Sequence, residues 1–158
     1  MEKVYVLEGT PVAWARAAPG QYRMWDTQKQ IKFNYGVVLE DQHGNLPFYS
    51  GPLHLDVIFY FKIPKTRAKH YNDLLLSPHF YVPDLSNLIK LIEDVGTGIL
   101  YKDDALIAHI TAQKKYDERA RTEFSLTEIA NTMTCAPTRV CPCPSSEKKP
   151  TRRTDANK

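Results

Sequence analysis

Three observations on this 158-residue chain predict an α+β fold, a single domain with one mixed sheet and helices packed on it. Leu53, Leu55, Val57, Phe59, Phe61 and Ile63 alternate with His54, Asp56, Tyr60 and Lys62, the period of a strand with one buried face. Leu85, Leu88, Ile92 and Val95 fall at i, i+3, i+7 and i+10, a single stripe along a helix. The segments follow one another as β-α-β-α-β-β, an order that suits one sheet with helices on a face.

Taken from the start, Val4–Leu7 is a short β-prone run stopped by Glu8-Gly9-Thr10-Pro11. Residues 11–24 read as loop. From about Thr27 to Asp41, Ile31, Tyr35, Val38 and Leu39 recur near helical spacing, with Gly36 weakening the pattern. Gln42-His43-Gly44-Asn45 and Ser50-Gly51-Pro52 are turn signals before the Leu53–Ile63 strand. A basic stretch, Pro64 to His70, follows that strand. The Leu85 helix then begins, with Asp84 or Ser86 able to cap its start and Gly96 or Gly98 its end. Tyr101-Lys102-Asp103-Asp104 is a tight connection into a strand over Ala105–Tyr116. Asp117-Glu118 turns into a last strand over Arg121–Ile129.

From Thr132 the periodicity stops, and prolines with polar and charged residues predict a disordered tail over 132–158 behind a folded unit of 1–131. The tail carries a net charge of +4, which leaves residues 1–131 with 15 basic and 16 acidic side chains, so the chain's overall +3 says nothing about the folded part. Cys135, Cys141 and Cys143 all lie in the tail, so no disulfide is expected in the core. As a zinc site they lack a fourth ligand, and scattered thiols are the plainer reading. No run approaches the roughly 18 apolar residues of a membrane span, and Met1-Glu2-Lys3-Val4 lacks an export pattern, so a cytoplasmic protein without a membrane partner is expected.

The chemistry-bearing residues gather around the predicted Leu85 helix. Ser86, Lys90 and Glu93 or Asp94 lie along its polar face, Asp84 stands at its N-terminal mouth, and Asp103-Asp104 follows it in a short loop. Oxygen ligands brought together in this way suit a hard cation such as Mg²⁺. Phosphodiester hydrolysis needs an activated water and neutralisation of transition-state charge, for which Asp84, Asp104 and Lys90 are a matching set. On spacing alone, Asp84 capping the helix, Lys90 pairing with Asp94 and Asp103-Asp104 filling a turn account for the same residues.

The run Pro83-Asp84-Leu85-Ser86-Asn87-Leu88-Ile89-Lys90, then Glu93-Asp94, then Gly98-Ile99-Leu100-Tyr101-Lys102-Asp103-Asp104-Ala105 resembles the signature of the RusA family of Holliday junction resolvases. That signature is an Asp-x-Asp-Asn-Leu-x-Lys element followed by a hydrophobic-x-Asp-Asp turn. The resemblance spans residues 3–129. It implies a Mg²⁺-dependent homodimer that binds four-way DNA junctions and makes paired nicks. Asp84 and Asp104 match the family aspartates, Lys90 its lysine and Asn87 its asparagine. Ser86 stands where the family has its second aspartate, so Asp103, Asp94 or Glu93 would have to complete a metal shell of Asp84, Asp104 and Ser86. Lys65, Arg67 and Lys69, with Asn87, are expected DNA contacts, and Phe80 and Tyr81 are placed either to stack on unpaired bases or to fill the core. Two other functions remain open: a DNA-junction-binding dimer that has lost catalysis through Ser86, and a nuclease acting on other branched DNA.

Overall fold

The computed structural model describes residues 3–16, 18–19, 24–25 and 27–129, and at 18–19, 24–25 and 68–69 it describes the backbone alone. The three cysteines and the basic stretch 132–158 lie outside the described residues, as does the side chain of Lys69. In chain order the elements are β1 (Val4–Glu8), β2 (Ala18–Pro19), β3 (Met24–Trp25), α1 (Lys29–His43) and β4 (Leu53–Lys62). A 3₁₀ turn (Lys65–His70), α2 (Tyr71–Leu74), α3 (Leu85–Gly96), a second 3₁₀ turn (Asp104–Leu106), β5 (Ile107–Asp117) and β6 (Arg121–Glu128) complete the list.

Four strands form a mixed sheet in the order β1-β6-β4-β5. β6 runs antiparallel to both β1 and β4, whereas β4 and β5 are parallel. A parallel pair cannot be joined by a hairpin, so the chain must cross over between its two strands. Residues 63–106 make that crossing and carry α3.

The alternating strand behaves as expected. Leu53, Leu55, Val57, Phe59 and Phe61 of β4 turn inward and join Leu39 of α1 and Leu88, Leu91, Ile92 and Val95 of α3 in one core. Burying a side chain such as Leu88 contributes about 1.5–3 kcal/mol, and this is what holds α3 on the sheet. The turn after α3 approaches α1 closely at Gly36, where a Cβ would stand 3.3 Å from Ile99 Cδ1. A glycine that looks like a weakness in the helical pattern is therefore the place where the next layer fits.

β1 is an edge strand, and its free backbone groups need partners. The Gln42 side chain of α1 supplies them: its amide nitrogen donates to the Val6 carbonyl at 2.7 Å and its oxygen accepts from the Val6 amide at 2.9 Å. Beside it the Tyr5 hydroxyl bonds Nδ1 of the buried His43 at 2.8 Å.

Two regions differ from the sequence expectation. The β2–β3 ladder, pairing Ala18 with Trp25 and Pro19 with Met24, lies within and just beyond the stretch read as loop, because two-residue strands carry no periodicity. The basic stretch after β4, read as a loop, coils into the first 3₁₀ turn and leads into α2. No helix among the described residues is long and apolar enough to cross a membrane.

β6 closes the sheet, and the Ile129 amide donates to the Pro52 carbonyl at 2.7 Å, the last described backbone tie. Ending the chain after Asn131 is therefore expected to leave cooperative thermal unfolding and its midpoint unchanged. Loss of a cooperative transition in a melt of the shortened protein would show that residues beyond 131 contribute to the core.

Candidate active site

Asp84 is the N-cap residue of α3, with extended backbone angles. Its carboxylate accepts none of the helix's first amides, so the ordinary capping role is left unused. Only its carbonyl takes part, accepting from the Leu88 amide at 3.2 Å. The segment leading to it is pinned to β5. The Leu76 amide donates to the Tyr116 carbonyl, the Tyr116 amide to the Ser77 carbonyl and the His79 amide to the Lys114 carbonyl, at 2.9, 3.0 and 2.9 Å. Lys114 reaches from an inward-facing position on β5 and donates to the carbonyls of Tyr81 and Pro83 at 2.7 and 2.8 Å. Those carbonyls are the last stops before Asp84, which makes Lys114 a positioning residue that the sequence reading missed. A lysine among inward-facing residues of a strand was its one sequence signal.

Ser86, Lys90 and Glu93 step along one face of α3 at helical spacing. Lys90 does not pair with Asp94: its ammonium lies 4.4 Å from the centroid of the Trp14 ring. Asp94 instead pairs with Lys32 of α1 at 3.1 Å, an ion pair that contributes on the order of 1 kcal/mol or less. Trp14 is itself fixed from both sides. Its amide donates to the Asn87 carbonyl at 2.8 Å, and the buried Gln28 side chain clasps its neighbours, accepting from the Ala15 amide and donating to the Ala13 carbonyl, both at 2.7 Å. Asn87 thus serves the site through its backbone.

The turn after α3 brings the later aspartates back. The Glu93 carbonyl accepts from the Thr97 amide and hydroxyl and from the Tyr101 hydroxyl, the last at 3.1 Å. Gly98, at φ +81°, takes the left-handed conformation that lets the chain reverse. Asp103 caps the second 3₁₀ turn, accepting from the Ala105 amide at 2.9 Å, so one of its oxygens is committed to the fold. Asp104 begins that turn with an exposed side chain.

Electrostatics shows which of these groups face one another. The Glu93 carboxyl is raised above its ordinary pKa, first by burial and then by the negative charges of Asp104 and Asp94, with Lys90 opposing. The Tyr101 phenol is pushed up by burial and by Glu93, Asp104 and Asp94. The acidic residues thus brought near each other are Glu93, Asp94 and Asp104, at the C-terminal half of α3. Asp84 lies nine residues before Glu93, roughly 13 Å along the helix axis. Among the described residues no three His, Cys, Asp or Glu side chains converge closely enough to hold a metal ion.

Of the expected DNA contacts, Lys65 is exposed on the first 3₁₀ turn. Arg67 is committed to Tyr81, donating to its hydroxyl at 2.6 Å and lying 4.8 Å over its ring. Phe80 is 75% exposed and Tyr81 43%, so both stay at the surface rather than filling the core.

Comparison with known proteins bears on this arrangement. The family model described as endodeoxyribonuclease RusA matches residues 8–127. A protein of Bacillus subtilis (strain 168), the uncharacterized YqaN, is 27% identical over 136 residues, covering 80% of this chain and 96% of that protein. The crossover junction endodeoxyribonuclease rusA of Lactococcus phage r1t is 35% identical over 79 residues, 49% of this chain and 56% of the phage protein. The family match runs from the end of β1 into β6 and takes in the whole of α3 and its flanking turns, and the chain belongs to the RusA endodeoxyribonuclease family.

Proposed function

We propose that this protein hydrolyses phosphodiesters at four-way DNA junctions with the help of Mg²⁺, acting as a homodimer whose subunits each cut one strand. The observation that carries this reading is the build-up of negative charge from Glu93, Asp94 and Asp104 on α3 and its following turn, within the span that matches an endodeoxyribonuclease family. Carboxylates under mutual repulsion are suitable donors for a hard divalent cation, which would relieve that repulsion on binding. Asp104 would hold the ion with Glu93 beside it, whereas Asp84 and Ser86, which the family resemblance adds as ligands, stand at the N-terminal end of α3 and do not converge with that pair among the described residues. When bound, Mg²⁺ lowers the pKa of a coordinated water and neutralises charge on the phosphate. Lys90, held over Trp14, supplies a positive charge for the non-bridging oxygens as water adds to phosphorus and the bridging oxygen leaves. Lys65 and Arg67, with Lys69, offer phosphate contacts that position the branch without reading its sequence. A two-fold dimer matches the symmetry of a four-way junction.

The deciding assay incubates the purified protein with end-labelled four-way junctions, linear duplex and flap substrates, with and without Mg²⁺. Paired nicks in the junction alone, and only with Mg²⁺, support the proposal. Ser86 favours a second reading, a dimer that binds junctions without cutting them, and retarded but intact junction at every Mg²⁺ concentration would establish it. Preferential cutting of flaps would move the substrate to other branched DNA.

Ser86 also gives a graded prediction. On the same helix face as Lys90, Ser86→Asp would restore the family's acidic pair, and an anionic ligand binds this cation better than a hydroxyl. The variant is expected to need several-fold less Mg²⁺ for half-maximal cleavage. An unchanged or higher requirement in a Mg²⁺ titration would show that the site is not short of a ligand at that position.

A further inference from the structure

A groove of about 410 Å³ opens between the first 3₁₀ turn and the segment before Asp84. Four of its nine lining residues are aromatic, Phe61, His79, Tyr81 and Tyr116. The His79 ring lies flat against Phe61, with centroids 4.2 Å apart and planes at 18°, meets Tyr116 at 4.7 Å and presents to the Tyr81 ring edge-on at 6.0 Å. Lys62 and Arg67 line the same groove. Nδ1 of His79 has no hydrogen-bond partner among the described residues, so that side of the ring is held by stacking alone. Burial, helped by the charges of Lys114 and Arg67, lowers the His79 pKa and favours its neutral form. The groove thus combines an aromatic wall around a neutral His79 with two cations, Lys62 and Arg67.

That combination selects among ligands. A free phosphate or a duplex backbone needs cations but no aromatic recess, and an apolar side chain needs the recess but no cations. A nucleotide needs both, and its base is free to enter only when it is unpaired and unstacked, as at a branch point. Tyr81 is three residues before Asp84, and Lys114 bonds the carbonyls of both Tyr81 and Pro83. A base seated here would therefore set the strand's position relative to Asp84. We propose that the groove takes one unpaired nucleotide of the branched substrate, its base against His79 and Tyr81 and its phosphate on Arg67 and Lys62. This rests on the junction-acting reading above.

The test is a binding scan in EDTA, in which a single abasic site is moved through the nucleotides around the branch of a four-way junction and affinity is read by fluorescence anisotropy. For the wild-type protein one abasic position is expected to weaken binding about ten-fold, in line with the loss of one base–aromatic stack. His79→Ala and, as an independent wall, Tyr81→Leu are each expected to bind the intact junction about ten-fold more weakly and to show no further loss at that abasic position. His79→Phe, which keeps the stack, is expected to retain the wild-type response. The groove assignment is overturned if wild type binds the intact junction yet no abasic position changes affinity more than two-fold, or if the alanine and leucine variants lose as much as wild type. Absence of any junction binding by wild type would instead overturn the function on which the assignment rests.

Discussion

Asp104→Asn is expected to reduce junction cleavage by about a thousand-fold, roughly 4 kcal/mol in activation free energy, while leaving junction binding equal or tighter. The amide keeps the shape of the side chain but removes a negative charge from the site. A hard cation loses an anionic ligand, and a phosphate approaching the site loses a repulsion. Asp104 is exposed and its side chain does not cap its turn, since Asp103 does, so the fold does not depend on it. Its charge is one of those that raise the Glu93 pKa, and removing it relieves a repulsion rather than breaking a contact. An unchanged or slightly raised melting temperature should therefore accompany the lost activity. Cleavage at the wild-type rate would reduce Asp104 to a turn residue, and a fall in melting temperature would show that its charge supports the turn.

The second large effect belongs to Gly96→Ala, which acts on the structure behind the site. The added Cβ would stand 2.6 Å from the Tyr101 hydroxyl and 2.9 Å from its Cζ. Tyr101 is only 2% exposed, and its hydroxyl is bonded to the Glu93 carbonyl, so the ring has no cheap way to retreat. In an isolated helix the same change would gain up to about 1 kcal/mol. Overpacking costs about 1–3 kcal/mol, and displacing the hydroxyl forfeits about 1 kcal/mol more, so the clash wins. A melting temperature lower by about 5 °C is expected. Cleavage should fall further than stability, because Tyr101 leads directly into Asp103 and Asp104. Adding Tyr101→Phe should recover part of the loss by removing the nearest atom, and a double-mutant cycle measures this. A melting temperature equal to or above wild type would mean that the ring moves aside freely.

Much of this architecture was legible in the residues. The alternation from Leu53 and the stripe from Leu85 to Val95 located β4 and α3 to within a residue or two at each end, because burial on one face writes a period into the chain. β1, α1, β5 and β6 were placed with small boundary shifts, α1 running two residues later at both ends. The parallel pairing of β4 with β5 was not legible, since it depends on how the intervening crossover packs. Within the site, the family motif pointed to Asp84, Lys90 and Asp104. It did not reveal Trp14 beneath Lys90, Lys114 behind Asp84 or Lys32 beside Asp94. Each of those partners lies between 30 and 76 residues away in sequence and on another element, and contacts of that range leave no local pattern.

The position of β6 has a consequence for how the protein is made. It is the last strand among the described residues yet lies between β1 and β4, joining the first strand of the sheet to the second in sequence. Val4 pairs with Ser125, and Leu53 with Glu128. Until residues 121–128 have left the ribosome, β1 has no partner in this sheet and β4 can pair on one side only. Folding must therefore wait for nearly the whole domain to be synthesised. Closure of such long loops also places the protein among the slow, topology-limited folders, on the order of milliseconds to seconds.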